Sequence, residues 1–177
     1  FVSLVWGLFA FSRSEMVIRA LVLVLVWIFL ATTTYASVLN TQGFSFVGKE
    51  LVEIGPFGID IYHASFYRKS DGQRLLELQY VRDIARRYSV MGWKKGLAYI
   101  SQDECSQNAA DWIMASTPDF AKGDQFSILI KNAETSLFLN EQFIASSDDP
   151  RVAEIIHSPW LGEEPLQPSI KAGLLGE

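Results

Sequence analysis

Two kinds of hydrophobic pattern divide the chain. From Ala20 to Ala31 it reads ALVLVLVWIFLA, twelve residues without a charge or a strongly polar group. Beyond Ser37 the apolar positions come in short alternations and then at helical spacing. Gly48–Ile54 (GKELVEI) predicts a short strand, Gly55-Pro56-Phe57-Gly58 a reversal, and Ile59–Tyr67 (IDIYHASFY) the returning strand of a hairpin. Alternation there places Ile59, Ile61, His63, Ser65 and Tyr67 on one face, and Asp60, Tyr62, Ala64 and Phe66 on the other. Ser70-Asp71-Gly72 is a second turn, and Leu75–Tyr80 (LLELQY) a third strand.

The period then changes. From Ala85 to about Ile100, Tyr88, Met91, Gly92, Leu97 and Ile100 share a broad helical face. Ser101 and Asp103 are N-cap candidates for a second helix running to about Ser116, with Ala109, Trp112, Ile113 and Cys105 as its apolar stripe. Thr117-Pro118 ends it, because proline disfavours helix in the residue before it. Strands return at Asp124–Lys131, Thr135–Leu139 and Gln142–Ala145, joined by turns at Asn132-Ala133-Glu134 and Asn140-Glu141. Pro150–His157 and Pro165–Leu175 predict two closing helices. The order β-β-β-α-α-β-β-(β)-α-α is that of an α+β domain, an antiparallel sheet with helices packed on one face.

The apolar run has Arg19 directly before it and Arg13 further out, and Thr32 to Ala36 after it. A basic region, an apolar stretch of about 7–15 residues and small residues at a cleavage site make a secretory signal. Thr34 and Ala36 fit the small-residue positions, so the expected cut precedes Ser37. Met16 would open a compact signal and is the expected start. The alternative is an uncleaved anchor that keeps the domain beside a membrane. A spanning helix needs about 20 apolar residues, which Val17–Ala36 reaches only by counting Arg19 and the Thr run. The expected organisation is therefore an N-terminal segment 1–36 and one domain 37–177, periplasmic or secreted, or else membrane-anchored.

Composition narrows the function classes. Without Arg13, Arg19 and Glu15, the remaining chain has 13 basic against 19 acidic residues. That balance disfavours a nucleic-acid surface, which needs clustered positive charge. Cys105 is the single cysteine, so no internal disulfide and no cysteine-based zinc site are expected. His63 and His157 lie too far apart in sequence to suggest a metal centre, and no cofactor is expected.

Several stretches taken together resemble a known family: VGKELVEIG with the hairpin into GIDIYHASFYR, LELQYVRDI, FAKGDQFSILI, TSLFLNEQFIA, SPWLG and SIKAGLLG. In order and spacing, from about Val47 to Gly176, they resemble the bacterial chalcone isomerase-like proteins. The resemblance implies an open-faced β-sandwich: a large antiparallel sheet, a helical layer, a small extra sheet, and a ligand cleft between sheet and helices. The plant enzymes of this fold cyclise a chalcone, and negative charge moves onto a carbonyl oxygen. That chemistry needs cationic or hydrogen-bonding groups at the charged oxygens. Their arginine on the first hairpin strand aligns here with Glu50, which has the wrong sign, and their threonine on the second strand with Tyr62. Lys49 would replace the arginine only if the register slipped by one residue.

The resemblance therefore implies the fold and a cleft rather than the reaction. The expected function is non-catalytic binding of a small apolar or amphipathic ligand, a fatty acid or a phenolic compound. Tyr62, Phe66, Tyr67, Tyr88 and Trp93 are the candidate lining residues. An isomerase or intramolecular lyase using Lys49 or Tyr62 is the alternative, and an accessory protein-interaction module the second alternative. Arg82 and Asp83 are read as fixing a strand-to-helix corner. Arg86, Arg87, Lys94 and Lys95 are read as a solvated helix face, or as a surface for anionic head groups. His157 is read as serving the carbonyls at the end of its own helix, and Trp160 with Leu161 as core.

Overall fold

The computed structural model describes residues 41–100 and 102–177. The apolar N-terminal segment, the expected cut before Ser37 and Ser101 as a cap lie outside them. The elements are β1 (Ser45–Ile54), β2 (Ile59–Arg68), β3 (Arg74–Tyr80), α1 (Arg86–Gly96), α2 (Glu104–Ala115), β4 (Gln125–Lys131), β5 (Glu134–Leu139), β6 (Gln142–Ser147), α3 (Pro150–Ile155), α4 (Ser158–Leu161) and α5 (Pro168–Leu175). The six strands form one antiparallel sheet in chain order, and the helices cover one of its faces. This is the α+β open-faced sandwich expected from the pattern. Where the resemblance implies a small extra sheet, the described residues carry a single isolated bridge, Ile84 to Phe120.

The covered face is built from alternate strand residues. One row crosses five strands in register: Gly48, Phe66, Leu76, Ile128 and Leu137. All five are buried, and against the four apolar side chains of the row pack Ala109 and Ile113 of α2, Val152 and Ile155 of α3, Trp160 of α4, and Ile170 and Leu174 of α5. The opposite face carries its own small cluster, in which Leu75 and Phe138 are covered by Phe44, Tyr67 and Leu129. The β4–β5 and β5–β6 connections are two-residue turns with positive φ at both positions, Asn132-Ala133 and Asn140-Glu141. Turns of this handedness match the twist of the strands they join.

The alternation expected for β2 holds from Tyr62 to Tyr67 and is broken ahead of Tyr62. Val52 pairs with Tyr62 and Glu53 with Asp60, so Ile61 is an extra residue on β2. Such a bulge turns the rest of the strand over. Ile61 and Tyr62 are consecutive, yet both are buried on the covered side. Ile59 follows them onto that side opposite Ile54, and the Glu53–Asp60 pair faces away.

α1 is shorter than Ala85–Ile100, and its buried stripe differs from the expected one. Trp93, Gly96 and Leu97 point inward, whereas Tyr88 and Met91 are exposed. Gly96 sits on Pro159, so a Cβ there would collide with the proline ring. In α2, Asp103 is the N-cap: its carboxylate accepts from the Ser106 amide at 2.9 Å and the Ser106 hydroxyl at 2.5 Å. Cys105 is exposed, and Ser106 takes the buried position expected for it. Arg86 does not join a solvated face. It donates to the carbonyls of Thr117 (2.8 Å) and Met114 (2.7 Å) beyond and at the end of α2, where a cation suits the helix dipole. At the corner, the Asp83 carboxylate accepts from the Lys122 amide at 2.7 Å.

His157 does not serve its own helix. It is buried between α3 and α4, with Nε2 3.4 Å from the Ile128 carbonyl of β4 and its ring edge-on to Phe66 at 6.2 Å. Burial, with the Arg74 charge adding to it, pushes its pKa down to about 3. It is a neutral core residue at physiological pH.

α5 lies close on β1. Gly48 meets the Gly173 carbonyl and the Leu174 backbone, and Gly173 meets the Glu50 side chain; neither glycine has room for a Cβ. Gly48→Ala should therefore force the two backbones apart and lower stability by about 1–3 kcal/mol. A urea titration should show an earlier midpoint with an unchanged slope.

Candidate functional site

Away from the glycine contact the two layers separate. Between the β1–β3 end of the sheet and α1, α4 and the segment after α4 lies an apolar cleft of about 120 Å³. Val52, Ile61, Tyr62, Leu78 and Tyr80 form its floor, Ser89, Gly92 and Trp93 of α1 one wall, and Pro159, Trp160 and Leu166 another. Phe120 and Phe126 close its inner end, and Ile54, Ile84 and Tyr88 border the opening.

The rings hold one another in place. Tyr80 stacks on Phe120 at 4.0 Å and 11°, and Phe120 meets Phe126 edge-on at 5.2 Å. Trp160 stands perpendicular to Trp93 at 5.2 Å, and Tyr62 meets Tyr80 edge-on at 5.3 Å. One hydrogen bond ties these walls across the layers: the Trp160 indole Nε1 donates to the Tyr62 hydroxyl at 2.9 Å. Edge-to-face and offset contacts of this kind add roughly 0.5–1.5 kcal/mol each beyond area burial.

The cleft's polar groups are few, and none of its lining residues is charged. Desolvation raises the pKa of Tyr62 and that of Tyr80 well above the ordinary tyrosine value, so both hydroxyls keep their protons at neutral pH and can donate. The Ser89 hydroxyl interacts with Tyr80, yet its Oγ is buried without a hydrogen bond of ordinary geometry. The opening of α1 over the cleft is marked by Gly92, where a Cβ would meet nothing within 4 Å.

The structure brings three of the five candidate lining residues together: Tyr62 on the floor, Trp93 on a wall and Tyr88 at the opening. Phe66 is fully buried two residue pairs further along β2, against His157, and does not border the cleft. Tyr67 lies on the opposite face of the sheet, edge-on to Phe46 at 5.6 Å and interacting with Glu77 and Ser65. Strand alternation separates it from Tyr62. Lys49 is exposed and pairs with Ser65 on that same opposite face, so it cannot act in the cleft. Glu50 is on the helix side, but its carboxylate rests against Gly173 rather than bordering the cleft. Tyr80, Phe120, Ser89 and Trp160 complete the cleft without any local pattern marking them: Trp160 is buried, as core residues are, and the others come from three separate parts of the chain that local pattern does not link. Among the described residues no group of three His, Cys, Asp or Glu side chains is placed to hold a metal ion.

Tyr62→Phe should leave the buried Trp160 indole N–H unpaired, at a cost of about 1–3 kcal/mol. Thermal or urea unfolding should report the loss, and near-ultraviolet circular dichroism should change with the loosened indole.

Comparison with known proteins adds three findings. The model of a family described as chalcone isomerase-like matches residues 57–176, more than half of the chain. No curated protein matches the chain. Among solved structures, a fatty-acid binding protein of Arabidopsis thaliana superimposes with a TM-score of 0.62 at 11% identity, covering 80% of this chain and 90% of that one. At that identity the likeness is one of fold.

Proposed function

The chain belongs to the chalcone isomerase-like family, and from that premise we propose that it is a non-catalytic binding protein for a small apolar or amphipathic ligand. The observation that carries this reading is the cleft itself: an uncharged, aromatic-walled space with open volume above Gly92. Concave, mostly apolar sites with a few convergent polar groups are typical of small-molecule binding. Its depth suits one ring or a short run of methylenes, since an apolar cavity of roughly 150 Å³ admits benzene. The Tyr62, Tyr80 and Ser89 hydroxyls suit a ligand oxygen. A phenolic ring would bury most of its surface in the cleft and reach its opening. A fatty acid would bury part of its chain and leave the carboxylate at the opening, near Arg87. The fatty-acid binding protein of like fold supports the fatty-acid reading of this cleft.

Binding is favoured over cyclisation because a developing oxyanion in this cleft would face no cation among the described lining residues. Lys49 points to the other side of the sheet, and the nearest matched position on β1 carries the Glu50 carboxylate. Neutral hydroxyl donors orient a ligand but stabilise a full negative charge far less than a guanidinium does.

The test uses the tryptophans in the cleft. Solvent extraction and mass spectrometry of purified protein should recover an apolar compound. Titration of stripped protein with fatty acids of graded length and with phenolics should quench Trp93 and Trp160 fluorescence. Gly92→Leu should fill the cleft and weaken binding at least tenfold while the fold persists, since leucine favours helix where glycine does not. Wild-type protein that is empty as purified and silent across the panel would overturn the reading.

We further propose that the domain is exported, on the strength of the basic, apolar and small-residue order ahead of Ser37. Mass spectrometry of the exported product should give a mature N-terminus at Ser37; retention of residues 1–36 would favour the anchored form instead.

A further inference from the structure

The opening of the cleft is surrounded by apolar side chains that the fold leaves uncovered. Phe57, at the tip of the β1–β2 hairpin, is 90% exposed, and Met91 of α1 is 63% exposed. Ile54 and Tyr88 are more than half exposed and also border the cleft, so the patch and the cleft are continuous. Ile59 joins them as the register partner of Ile54. Tyr88 and Met91 are one helical turn apart. A contiguous exposed patch of large apolar residues marks an interaction surface.

The charge beside the patch indicates what it meets. α1 reads RRYSVMGWKKG, with four basic residues and no acidic one. Arg86 is held by the carbonyls at the end of α2, but Arg87, Lys94 and Lys95 are exposed and form no ion pair among the described residues. Arg87 lies over the Tyr88 ring at 4.7 Å, joining charge to patch. The whole chain is acidic, with a formal charge of −5, so this basic side stands out. On the hairpin, Glu53 faces away by the alternation of β1, and the bulge at Ile61 turns Asp60 to that same opposite face. Asp119 acts on Arg87 and Asp111 borders the same surface hollow as Lys94, but neither forms an ion pair with these cations among the described residues, so α1 keeps a net positive side.

Exposed apolar tips flanked by lysine and arginine form the pattern of a protein that rests on an anionic bilayer, apolar groups entering the head-group boundary and cations meeting lipid phosphates. We infer that the hairpin tip and the outer side of α1 dock the domain on an anionic phospholipid surface, with the cleft opening against the bilayer. This deepens the binding reading: a sparingly soluble ligand would pass between lipid and cleft without crossing water. Docking does not itself require a ligand.

The test is local to the patch and uses the full chain, so that the apolar N-terminal segment is common to every sample. On a Cys105→Ser background, an environment-sensitive fluorophore is placed in turn at Phe57→Cys, Met91→Cys and, as a remote control, Lys131→Cys. Ligand-free vesicles of phosphatidylcholine alone, or with increasing phosphatidylglycerol, are added. Labels at 57 and 91 should shift to the blue and be quenched by brominated lipids as the anionic fraction rises, while the label at 131 stays unchanged. Lys94→Glu with Lys95→Glu should reduce the apparent partitioning roughly tenfold or more, since each basic group adds attraction to the anionic surface. Three results would each overturn the inference: silence at 57 and 91, an equal response at 131, or a response indifferent to both lipid charge and charge reversal. Ligand titrations without vesicles report separately on the cleft, so docking and binding can fail independently.

Discussion

How closely the helical layer can approach β1 governs the rest of the molecule. Alternate residues of this strand face the layer, and their sizes grade from one end to the other. At Gly48 the backbone of α5 lies in direct contact, because neither Gly48 nor Gly173 has a side chain to intervene. Two residues on, Glu50 fills the narrow space beside Gly173. At Val52 and Ile54 the layer is held away by Tyr62, Tyr80, Trp93 and Trp160, rings too large to lie flat in a closed seam. A sheet and helices joined tightly at one end and propped apart by aromatics at the other must enclose a cleft.

The bulge at Ile61 decides what that cleft contains. Without the extra residue, Ile61 and Ile59 would face away, and the Asp60 carboxylate would lie on the cleft side opposite Ile54, next to apolar rings. With it, two consecutive β2 residues enter the floor and Asp60 faces away, beside Glu53. The Trp160–Tyr62 hydrogen bond then spans the two layers and satisfies both buried polar groups. Buried polar atoms need partners, and here the requirement also fixes the orientation of the ring that forms one wall.

An uncharged cleft has a consequence for the family's chemistry. Glu50, where the resemblance would set the arginine of the plant enzymes, is kept from the cleft by the tertiary structure, which lays it against α5. The cation that the sequence offered as a substitute, Lys49, is on the wrong side of a strand, since neighbours on a strand point in opposite directions. What remains are hydroxyl groups that keep their protons. They can orient a bound oxygen, and the rings can bury a carbon frame.

Much of this was legible in the sequence. Every strand and all but one of the helices correspond to a local pattern: turn residues at Gly55–Gly58 and Ser70–Gly72, alternation in β2, Asp103 at an N-cap, proline ahead of α3 and α5. The site was only half legible. Tyr62, Tyr88 and Trp93 are legible as aromatics near the hairpin and first helix, but Tyr67 lies on the face its alternation gives it, away from the cleft, and the deeply buried Phe66 does not border the cleft. Tyr80, Ser89, Phe120 and Trp160 meet only because four elements converge. The periodicity of a strand or helix is a local property, set by backbone geometry over a few residues, so one sequence suffices to read it. A bulge depends on how two strands pair, and a cleft on which distant side chains keep two layers apart. Those are contacts between residues remote along the chain, as Trp160 is from Tyr62, and only the folded structure decides them.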